Sequence, residues 1–428
     1  MNPTIKARIE KIKNGEVPEG YKRTKIGIVP TDWKERKLKN YFTRLTRKNA
    51  ENNQNVLTIS AQYGLISQED FFNKSVASED KSNYFLLLKG DFAYNKSYSN
   101  GYPYGAIKRL EYYEKGIVSP LYICMEPQNS FVADYFVQYF EGGLLNGEIH
   151  AFAQEGARNH GLLNIAVDDF FNTNVVVPCE VEQQRIAEIL ATQDKVIELK
   201  EKLLKEKQRQ KKYLMQQLLT GKKRLPGFSG EWKTLKLNKV LEERNEKNTQ
   251  QNLEICSVAV KKGVVNQIEH LGRSFAAADT SNYNVVRYGD IVYTKSPTGE
   301  FPFGIIKQSQ LDKAAVSPLY GVFKPITYAL GYILHCYFEV PINTNNYLNP
   351  IIQKGAKNTI NISNSTFLSN KLLLPLDIKE QTAIAQILST ADKEIELLKK
   401  DIEQEKLKKK SLMQLLLTGI VRVNEVAI

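Results

Sequence analysis

One long segment occurs twice in the sequence, and this repeat constrains the fold more than any other feature. The first copy covers residues 182–221 and the second covers residues 380–419, so the offset is 380 − 182 = 198 residues, without a gap. Neither copy has an interior Gly or Pro, and each ends in Thr-Gly, a common helix C-terminus. The repeat therefore predicts one long helix in each half of the chain.

Apolar residues recur every seven positions along both copies. The first seam is Leu190, Ile197, Leu204 and Leu218, with Ile189, Val196 and Leu203 beside it, and the second is Leu388, Ile395, Ile402 and Leu416, with Leu398 and Leu412 beside it. A heptad seam needs a facing helix, and the other copy is the obvious candidate. We therefore expect an antiparallel coiled coil of two helices that obey a pseudo-two-fold axis.

Shorter motifs recur outside the helices at offsets of 197 to 199 residues. They are Asp-Trp-Lys at 32–34 and Glu-Trp-Lys at 231–233, Gly-Asp-…-Lys-Ser at 90–97 and 289–296, Val-Ser-Pro-Leu-Tyr at 118–122 and 316–320, Gly-Ala-Arg/Lys-Asn at 156–159 and 355–358, and apolar strands at 175–178 and 372–375. Short β-branched or aromatic strands alternate with turn residues, and residues 131–140 and 327–338 are predicted helices. Each half therefore predicts a mixed α/β domain.

The repeat predicts five segments. Residues 1–31 form an N-terminal segment with a short helix, and residues 32–179 and 222–377 form the two similar α/β domains. A helical spacer follows each domain, at 180–221 and at 378–428, and the second spacer includes the C-terminal tail. The fold class is therefore mixed α/β, with two similar domains separated by two long helices.

Composition narrows the function before any motif is considered. The net charge of +12 favours a polyanionic partner, although a merely basic soluble protein fits equally well. The four cysteines lie dozens of residues apart, so no metal site is expected. The N-terminus is polar and no apolar run approaches the ~18 residues of a membrane span, which predicts a soluble cytoplasmic protein without a membrane partner.

With these motifs in this order, the chain resembles the specificity subunits of type I restriction-modification systems. The resemblance is carried by the Trp33 and Trp232 openings, by the Pro-…-Glu-Gln-…-Ile joints at 178–186 and 375–384, and by the duplicated Leu-Met-Gln-…-Leu-Leu-Thr-Gly helix ends. Each joint keeps one proline where the family often has two. The resemblance covers nearly the whole chain.

The resemblance implies a role in host defence and DNA methylation. It implies that residues 32–179 and 222–377 are target-recognition domains, each of which binds one half of a bipartite, asymmetric double-stranded DNA site. It also implies two methyltransferase subunits as partners, and restriction subunits in the full complex. Two alternatives remain open: a subunit of a related system that cuts on both sides of its site, and a coiled-coil adaptor that binds no nucleic acid.

No motif predicts catalysis by the chain itself. The segment Asn349-Pro350-Ile351-Ile352 lacks the second proline and the aromatic residue of an adenine methyltransferase motif. No GxxxxGK[ST] loop for ATP and no nuclease triplet of two acids and a lysine is present. We therefore expect a non-catalytic subunit with no catalytic residue, no metal and no cofactor.

The candidate DNA-binding residues lie mainly in the duplicated polar motifs. They are Lys96, Ser97, Tyr98, Tyr102, Arg158, Asn159, Lys222, Lys223, Lys295, Ser296, Thr298, Lys357 and Asn358. Lys96 and Lys295 are predicted to bind phosphate, with a solvated strand end as the alternative. Arg158 suits a guanine edge or a phosphate, and the two asparagines suit adenine, with an ordinary turn as the alternative.

Base reading is expected where the halves differ, at 98–102 and 297–300. The basic stretch 200–212 is interpreted as a solvated helix face. Residues Lys222-Lys223-Arg224, just after the first helix, are interpreted as a phosphate contact. Trp33 and Trp232 are predicted to anchor the cores of their domains.

Overall fold

The structure is a computed structural model, and the residues that it describes are 3–25, 27–60, 63–72, 80–99, 101–155, 163–354 and 360–423. The chain divides into two compact units. Unit 1 comprises Met1–Lys200 and Asp401–Ile428, and unit 2 comprises Glu201–Lys400. Each long helix therefore contributes one part to unit 1 and the rest to unit 2. The five segments stay a prediction, because this division follows contacts rather than sequence motifs.

Unit 1 mixes short strands with helices. In chain order they are α1 Pro3–Lys13, β1 Tyr21–Thr24, β2 Gly27–Pro30, β3 Lys34–Lys37, β4 Phe42–Arg44, β5 Leu57–Ser60, β6 Gly64–Ser67, α2 Gln68–Phe72, β7 Phe85–Leu88, β8 Phe92–Asn95, β9 Ala106–Arg109, β10 Lys115–Val118, β11 Ile123–Pro127, α3 Ser130–Glu141, α4 Asn146–Phe152, β12 Gln154–Glu155, β13 Leu163–Asn164, α5 Val167–Phe171 and β14 Asn174–Val177. The first long helix, α6 Glu180–Leu218, follows.

Unit 2 repeats this order with fewer leading elements. They are β15 Lys233–Lys236, β16 Leu241–Glu243, β17 Ile255–Ala259, β18 Gly263–Asn266, α7 Gln267–Leu271, β19 Asn284–Arg287, β20 Ile291–Tyr293, β21 Ile306–Gln308, β22 Lys313–Val316, β23 Gly321–Pro325, α8 Tyr328–Phe338, α9 Pro341–Leu348, β24 Gln353–Lys354, β25 Ile360–Asn361, α10 Asn364–Ser369, β26 Lys371–Leu374 and the second long helix α11 Ile378–Leu416. The mixed α/β prediction is confirmed, as are the helices expected at 131–140 and 327–338.

The same antiparallel four-stranded sheet lies at the centre of each unit. Its strand order is β4-β11-β8-β9 in unit 1 and β16-β23-β20-β21 in unit 2. Register is equivalent as well, since Ile123 pairs with Tyr94 in unit 1 and Gly321 pairs with Tyr293 in unit 2. The repeated residues therefore lie at equivalent ends of the equivalent sheets in the two units.

The second sheet differs between the units. In unit 2 the order β18-β17-β22-β19 is continuous and includes a parallel β17–β22 pair. In unit 1 the corresponding strands form two separate antiparallel pairs, β5-β6 and β10-β7, which a parallel bridge between Val56 and Ile117 connects. The halves thus share a framework and differ in detail at this sheet.

Aromatic side chains fill the core beside the central sheet. In unit 1 the Phe42 and Phe136 rings meet edge to face at 5.1 Å, and Tyr94 stacks on Phe170 at 5.0 Å. Trp33 is 1% exposed and belongs to this core, as predicted. Trp232 fits the same prediction only in part, because it packs against a buried cluster of unit 2 but is half-buried, with its ring beside Gly221.

The two long helices bury most of the predicted seam. Within unit 1 the contacts run in opposite order along the two helices, since Gln193 Nε2 donates to Glu405 Oε2 at 2.7 Å and Lys200 Nζ contacts Asp401 Oδ2 at 2.8 Å. Leu203 was expected beside the seam, but its side chain is 48% exposed. Its position turns it away from the facing helix.

The interpretation of residues 200–212 as a solvated face is wrong for several of its lysines. Lys207 Nζ contacts Glu394 at 2.7 Å, and Lys211 Nζ contacts Glu339 at 2.8 Å and Asp392 at 2.6 Å within unit 2. Periodicity by itself did not separate solvated lysines from paired ones. Among the described residues, no helix is both long and apolar enough to cross a membrane.

Candidate nucleic-acid interface

A half-buried lysine lies just past the end of an equivalent central strand in each unit. Lys96 follows β8 and Lys295 follows β20. Burial lowers the pKa of Lys96. It also lowers the pKa of Lys295, where the carboxylate of Glu243 offsets part of the effect. A desolvated ammonium gains from a nearby anion, so both positions suit a phosphate, and the phosphate contact stays a prediction.

The tyrosines before these lysines belong to the core. Tyr94 and Tyr293 have no exposed surface, and their hydroxyls donate to the carbonyl oxygens of Tyr104 at 2.5 Å and Phe303 at 2.7 Å. These bonds hold the Pro-aromatic-Gly turn that follows each strand. A Cβ atom on Gly304, whose φ is +97°, would lie 2.9 Å from the Lys295 nitrogen. The repeated glycine therefore allows the close approach of this turn.

A tight turn follows each of these lysines. The Tyr102 amide donates to the Ser99 carbonyl at 2.8 Å, and the Phe301 amide donates to the Thr298 carbonyl at 2.8 Å. Ser296 and Thr298 are exposed, and Tyr98 is 64% exposed. These three side chains are accessible to a ligand, so the prediction that they bind DNA stands.

Tyr102 differs from the other turn residues because its hydroxyl is engaged. It donates to Glu141 Oε2 at 2.7 Å and accepts from Lys108 Nζ at 3.1 Å. Burial and the Glu141 carboxylate raise the pKa of Tyr102. If Tyr102 contacts DNA, it does so through the edge of its ring or through the Lys108–Glu141 ion pair that its hydroxyl bonds.

Ser97 is held by its own strand end, because its amide donates to Asn95 Oδ1 at 3.1 Å. The Lys96 carbonyl accepts a hydrogen bond from the Leu163 amide at 3.1 Å. This bond places the β12–β13 strand pair beside Lys96. The predicted residues Arg158, Asn159, Lys357 and Asn358, and also Asn100, lie outside the described residues.

A repeated turn at the same sheet end presents an exposed leucine in each unit. Leu121 is 62% exposed and Leu319 is 75% exposed. Each follows an exposed proline in the Val-Ser-Pro-Leu-Tyr motif, which connects β10 to β11 and β22 to β23. The sequence shows this repeat, but it did not single out the leucines, because periodicity cannot tell an exposed turn from a strand.

A second pair of exposed lysines lies beside these turns. Lys48 bridges to Phe85 at the start of β7, and Lys247 bridges to Asn284 at the start of β19. Lys247 Nζ donates to Asn284 Oδ1 at 2.6 Å. These lysines were not predicted, although a Lys-Asn pair occurs at 48–49 and at 247–248.

The segment after α6 is divided between exposed and paired cations. Lys222 and Lys223 are exposed, so their predicted phosphate contact remains open. Arg224 is not available for it, because its Nε and Nη2 donate to the two carboxylate oxygens of Glu380 at 2.7 and 2.8 Å. Trp232 Nε1 donates to the same carboxylate at 3.2 Å. Arg224 therefore has a structural role.

The same arrangement occurs in unit 1 with the residues 198 positions apart. Arg422 Nε and Nη2 donate to Glu182 at 2.7 Å, and its guanidinium also contacts Asp32. These carboxylates raise the pKa of Arg422. The end of each long helix is thus tied to the first turn of the other one by a charge-assisted, bidentate bond.

A charged cluster lies between α8 and the helices in unit 2. Although burial opposes the charged form, Lys307, His335 and Lys211 lower the pKa of Glu339 to about 2. Burial, with help from Lys307, lowers the pKa of His335 to about 4. The Gln308 amide donates to His335 Nδ1 at 3.2 Å, which fits a neutral imidazole. The cluster is an ion-pair network and not a cationic surface.

One cavity in unit 1 has a volume of about 280 Å³ and is also of mixed charge. Lys108, Arg109 and Lys409 line it together with Glu141 and Asp194. Because cations and carboxylates alternate there, it has no preference for an anion. In the described ranges no cluster of three or more His, Cys, Asp or Glu is placed to hold a metal ion. The strand ends and turns are therefore the best candidates for DNA contact.

Comparison with known proteins points in one direction. No family model matches the chain. The type I restriction enzyme MjaVIII specificity subunit of Methanocaldococcus jannaschii is 26% identical over 338 residues, which cover 72% of this chain and 75% of the relative. The putative type I restriction enzyme MjaX specificity subunit of the same organism is 22% identical over 442 aligned positions, which cover 95% of this chain and 97% of the relative.

Two solved structures share the fold. The S subunit of a type I restriction-modification system from M. genitalium matches with a TM-score of 0.52 at 12% identity, over 90% of this chain and 96% of that one. A chain from a study of assembly and conformational transition in the type I system matches with a TM-score of 0.51 at 13% identity, over 92% and 99%. In sequence, the chain is similar to specificity subunits of type I restriction enzymes, and in fold it is similar to chains of type I restriction-modification systems.

Proposed function

We propose that the chain is a non-catalytic DNA-recognition subunit that binds a bipartite, asymmetric site, with one half-site for each α/β domain. The observation that supports this most is the repetition of one polar sheet end in both units. Lys96 and Lys295 occupy equivalent positions there, whereas the neighbouring turns differ in sequence. Shared lysines suit the uniform phosphate backbone, and different turns suit different bases.

The proposal also includes the subunits that act on the DNA that this chain recognises. The chain holds two methyltransferase subunits, and restriction subunits join in the full complex in the cytoplasm. Residues 32–179 and 222–377 act as the recognition domains. The spacers at 180–221 and 378–428 pair as an antiparallel coiled coil. The net charge of +12 supports a polyanionic ligand.

The experiment is to express the chain with its methyltransferase partner and to map methylated adenines across a genome. We expect one bipartite sequence with a fixed, unread gap. Replacing residues 32–178 with the corresponding part of a relative should change one half-site only. The matched replacement of residues 231–375 should change the other half-site only.

Three results would contradict the proposal. A change of both half-sites by one replacement would remove the modular assignment. DNA binding by the complex that does not weaken steeply as salt rises would favour an adaptor, because phosphate neutralisation releases counterions. Methylation by the purified chain without its partner would show that the chain is an enzyme.

A further inference from the structure

The Ser-Pro-Leu-Tyr turn is built in the same way in both units. In unit 1 the Ser119 hydroxyl oxygen accepts from the Leu121 amide at 3.3 Å, and the Ser119 carbonyl accepts from the Tyr122 amide at 3.1 Å. In unit 2 the corresponding distances, from Ser317 to the amides of Leu319 and Tyr320, are 3.3 and 3.0 Å. Each leucine is thus held outward by a closed turn.

The residues around each leucine fix the turn to the core. The tyrosine after it packs partly buried against a buried cluster in each unit, Tyr122 in unit 1 and Tyr320 in unit 2. In unit 2 the Asn284 side chain also donates to the Tyr320 carbonyl at 2.8 Å. An exposed leucine gains nothing in stability from its position, and one such residue would be ordinary. Two on equivalent rigid turns call for a ligand.

Lysines flank both apolar tips. Tyr94 and Ile123 pair on the neighbouring strands β8 and β11. Lys96 lies two residues after Tyr94 and Leu121 lies two residues before Ile123, so both lie at the same end of the sheet. Lys295 and Leu319 stand in the same relation to the Tyr293–Gly321 pair. The leucine therefore leaves the sheet next to a lysine in each unit.

The other side of each turn also carries a lysine. Val118, the residue before Ser119, pairs with Phe85, and Phe85 bridges to Lys48. In unit 2, Val316 pairs with Asn284, and Asn284 bridges to Lys247. An apolar tip between two cations matches the surface of a duplex, where a groove runs between two phosphate strands.

We propose that Leu121 and Leu319 are wedges that insert between stacked bases, one in each half-site, while the flanking lysines bind phosphates. This inference rests on the proposed function and extends it. Leucine is among the side chains that DNA-bending proteins use to open a base step. The wedges distort the duplex without reading its sequence, which agrees with their presence in both units.

The test uses the full complex with the methyltransferase partner and a duplex that carries the mapped site. A 2-aminopurine is placed at each step of both half-sites in turn, because its fluorescence rises when it unstacks. We expect one bright step in each half-site. Leu121→Ala should abolish the signal in the half-site of the first domain and leave the second unchanged. Leu319→Ala should do the reverse.

Affinity gives a second readout. Each alanine variant should bind the duplex about tenfold more weakly, since the buried surface of one leucine is lost. Leu121→Met should retain both signal and affinity, because methionine also serves as a wedge. Leu373→Ala is the control, since Leu373 is likewise an exposed leucine of unit 2 and lies in another sheet.

The remaining outcomes separate this inference from the proposed function. If the alanine variants bind and fluoresce like the wild type while methylation still maps to a bipartite site, the wedges are refuted and the function stands. If an alanine variant loses its methyltransferase partner before DNA is added, as measured by sedimentation, the tip is a protein contact and the wedges are refuted. If the wild-type complex does not bind a specific duplex, both proposals fail.

Discussion

At the scale of single residues, the Glu-Gln pair in the first turn of each long helix has a clear physical role. Gln183 and Gln381 are buried, and their amides donate to the carbonyls of Pro178 and Pro375 at 2.9 Å. The adjacent glutamates, Glu182 and Glu380, are also buried. Each accepts hydrogen bonds from an arginine that follows the end of the other helix. The joint therefore ties a strand, a helix start and a helix end together.

Replacing Arg422 with alanine should destabilise unit 1, because the buried Glu182 carboxylate would lose its partner. We expect a loss of about 2–3 kcal/mol in the free energy of unfolding. The chain has two tryptophans, so in a Trp232→Phe background the fluorescence of Trp33 reports unit 1. Lys223→Ala is the control for an exposed cation. Unchanged denaturant unfolding of the Arg422 variant would contradict the pairing.

His335 should make unit 2 sensitive to mild acid. Its folded pKa of about 4 lies below the ordinary value of 6.5, so the unfolded chain binds more protons between these values. The free energy of unfolding therefore has its full value above pH 6.5, and it falls as the pH decreases towards 4. We expect a loss on the order of 1–2 kcal/mol at pH 5, allowing for partial exposure to solvent.

The matched variant is His335→Gln, which does not titrate and keeps an acceptor for the Gln308 amide. Its thermal stability should vary less than that of the wild type between pH 7 and pH 5. Parallel curves for the two proteins, followed by circular dichroism, would show that His335 is not buried in its neutral form.

At the scale of elements, the interruption in the heptad seam is informative. Each seam lacks an apolar residue at one position, where Lys211 and Lys409 stand. Lys409 Nζ contacts Asp194 at 2.6 Å within unit 1, and Lys211 Nζ contacts Asp392 at the same distance within unit 2. The seam changes from apolar to ionic at the same place in both copies. Such polar positions fix register in coiled coils.

Lys211→Leu should destabilise unit 2, although it completes the apolar seam. Glu339 and Asp392 would lose a shared cation. We expect the free energy of unfolding to fall by about 2 kcal/mol. The control is Lys212→Leu, which changes a neighbouring exposed residue. A Lys211 variant with a higher melting temperature than the wild type would mean that apolar packing outweighs the ion pairs.

At the scale of the whole molecule, the C-terminal end of one long helix contributes to the buried residues of each unit: α11 in unit 1 and α6 in unit 2. Met413 and Leu416 of α11 belong to the core of unit 1. Met215 and Leu218 of α6 belong to a buried cluster of unit 2. The duplicated helix ends therefore occupy equivalent positions in the two units.

A chain that ends after Leu225 should form a dimer. Unit 1 would lack Met413, Leu416 and Arg422, and a second copy could supply Met215, Leu218 and Arg224 in their place. Sedimentation should show a dimer, and with the methyltransferase partner the methylated site should become a palindrome of the first half-site. The control is the same chain with Arg224→Ala, which should dimerise more weakly. A stable monomer would exclude the exchange.

The sequence by itself determined the repeat, the mixed α/β class and the two long helices. It also indicated that Lys96 and Lys295 lie at strand ends. Repeats and periodicity can be recognised from the order of residues along the chain. Tertiary structure decided which polar residues face a partner. Arg224 looked like a phosphate contact, yet it binds Glu380, 156 residues away.

Leucine and tryptophan show the same limit. Trp232 was predicted to anchor the core of its domain, but it is only half-buried and lies beside a glycine, and Leu121 is exposed on a turn. Burial and ion pairing arise from residues that are distant in the chain. Spacing therefore predicts which element a residue belongs to, and only the folded chain decides what that residue contacts.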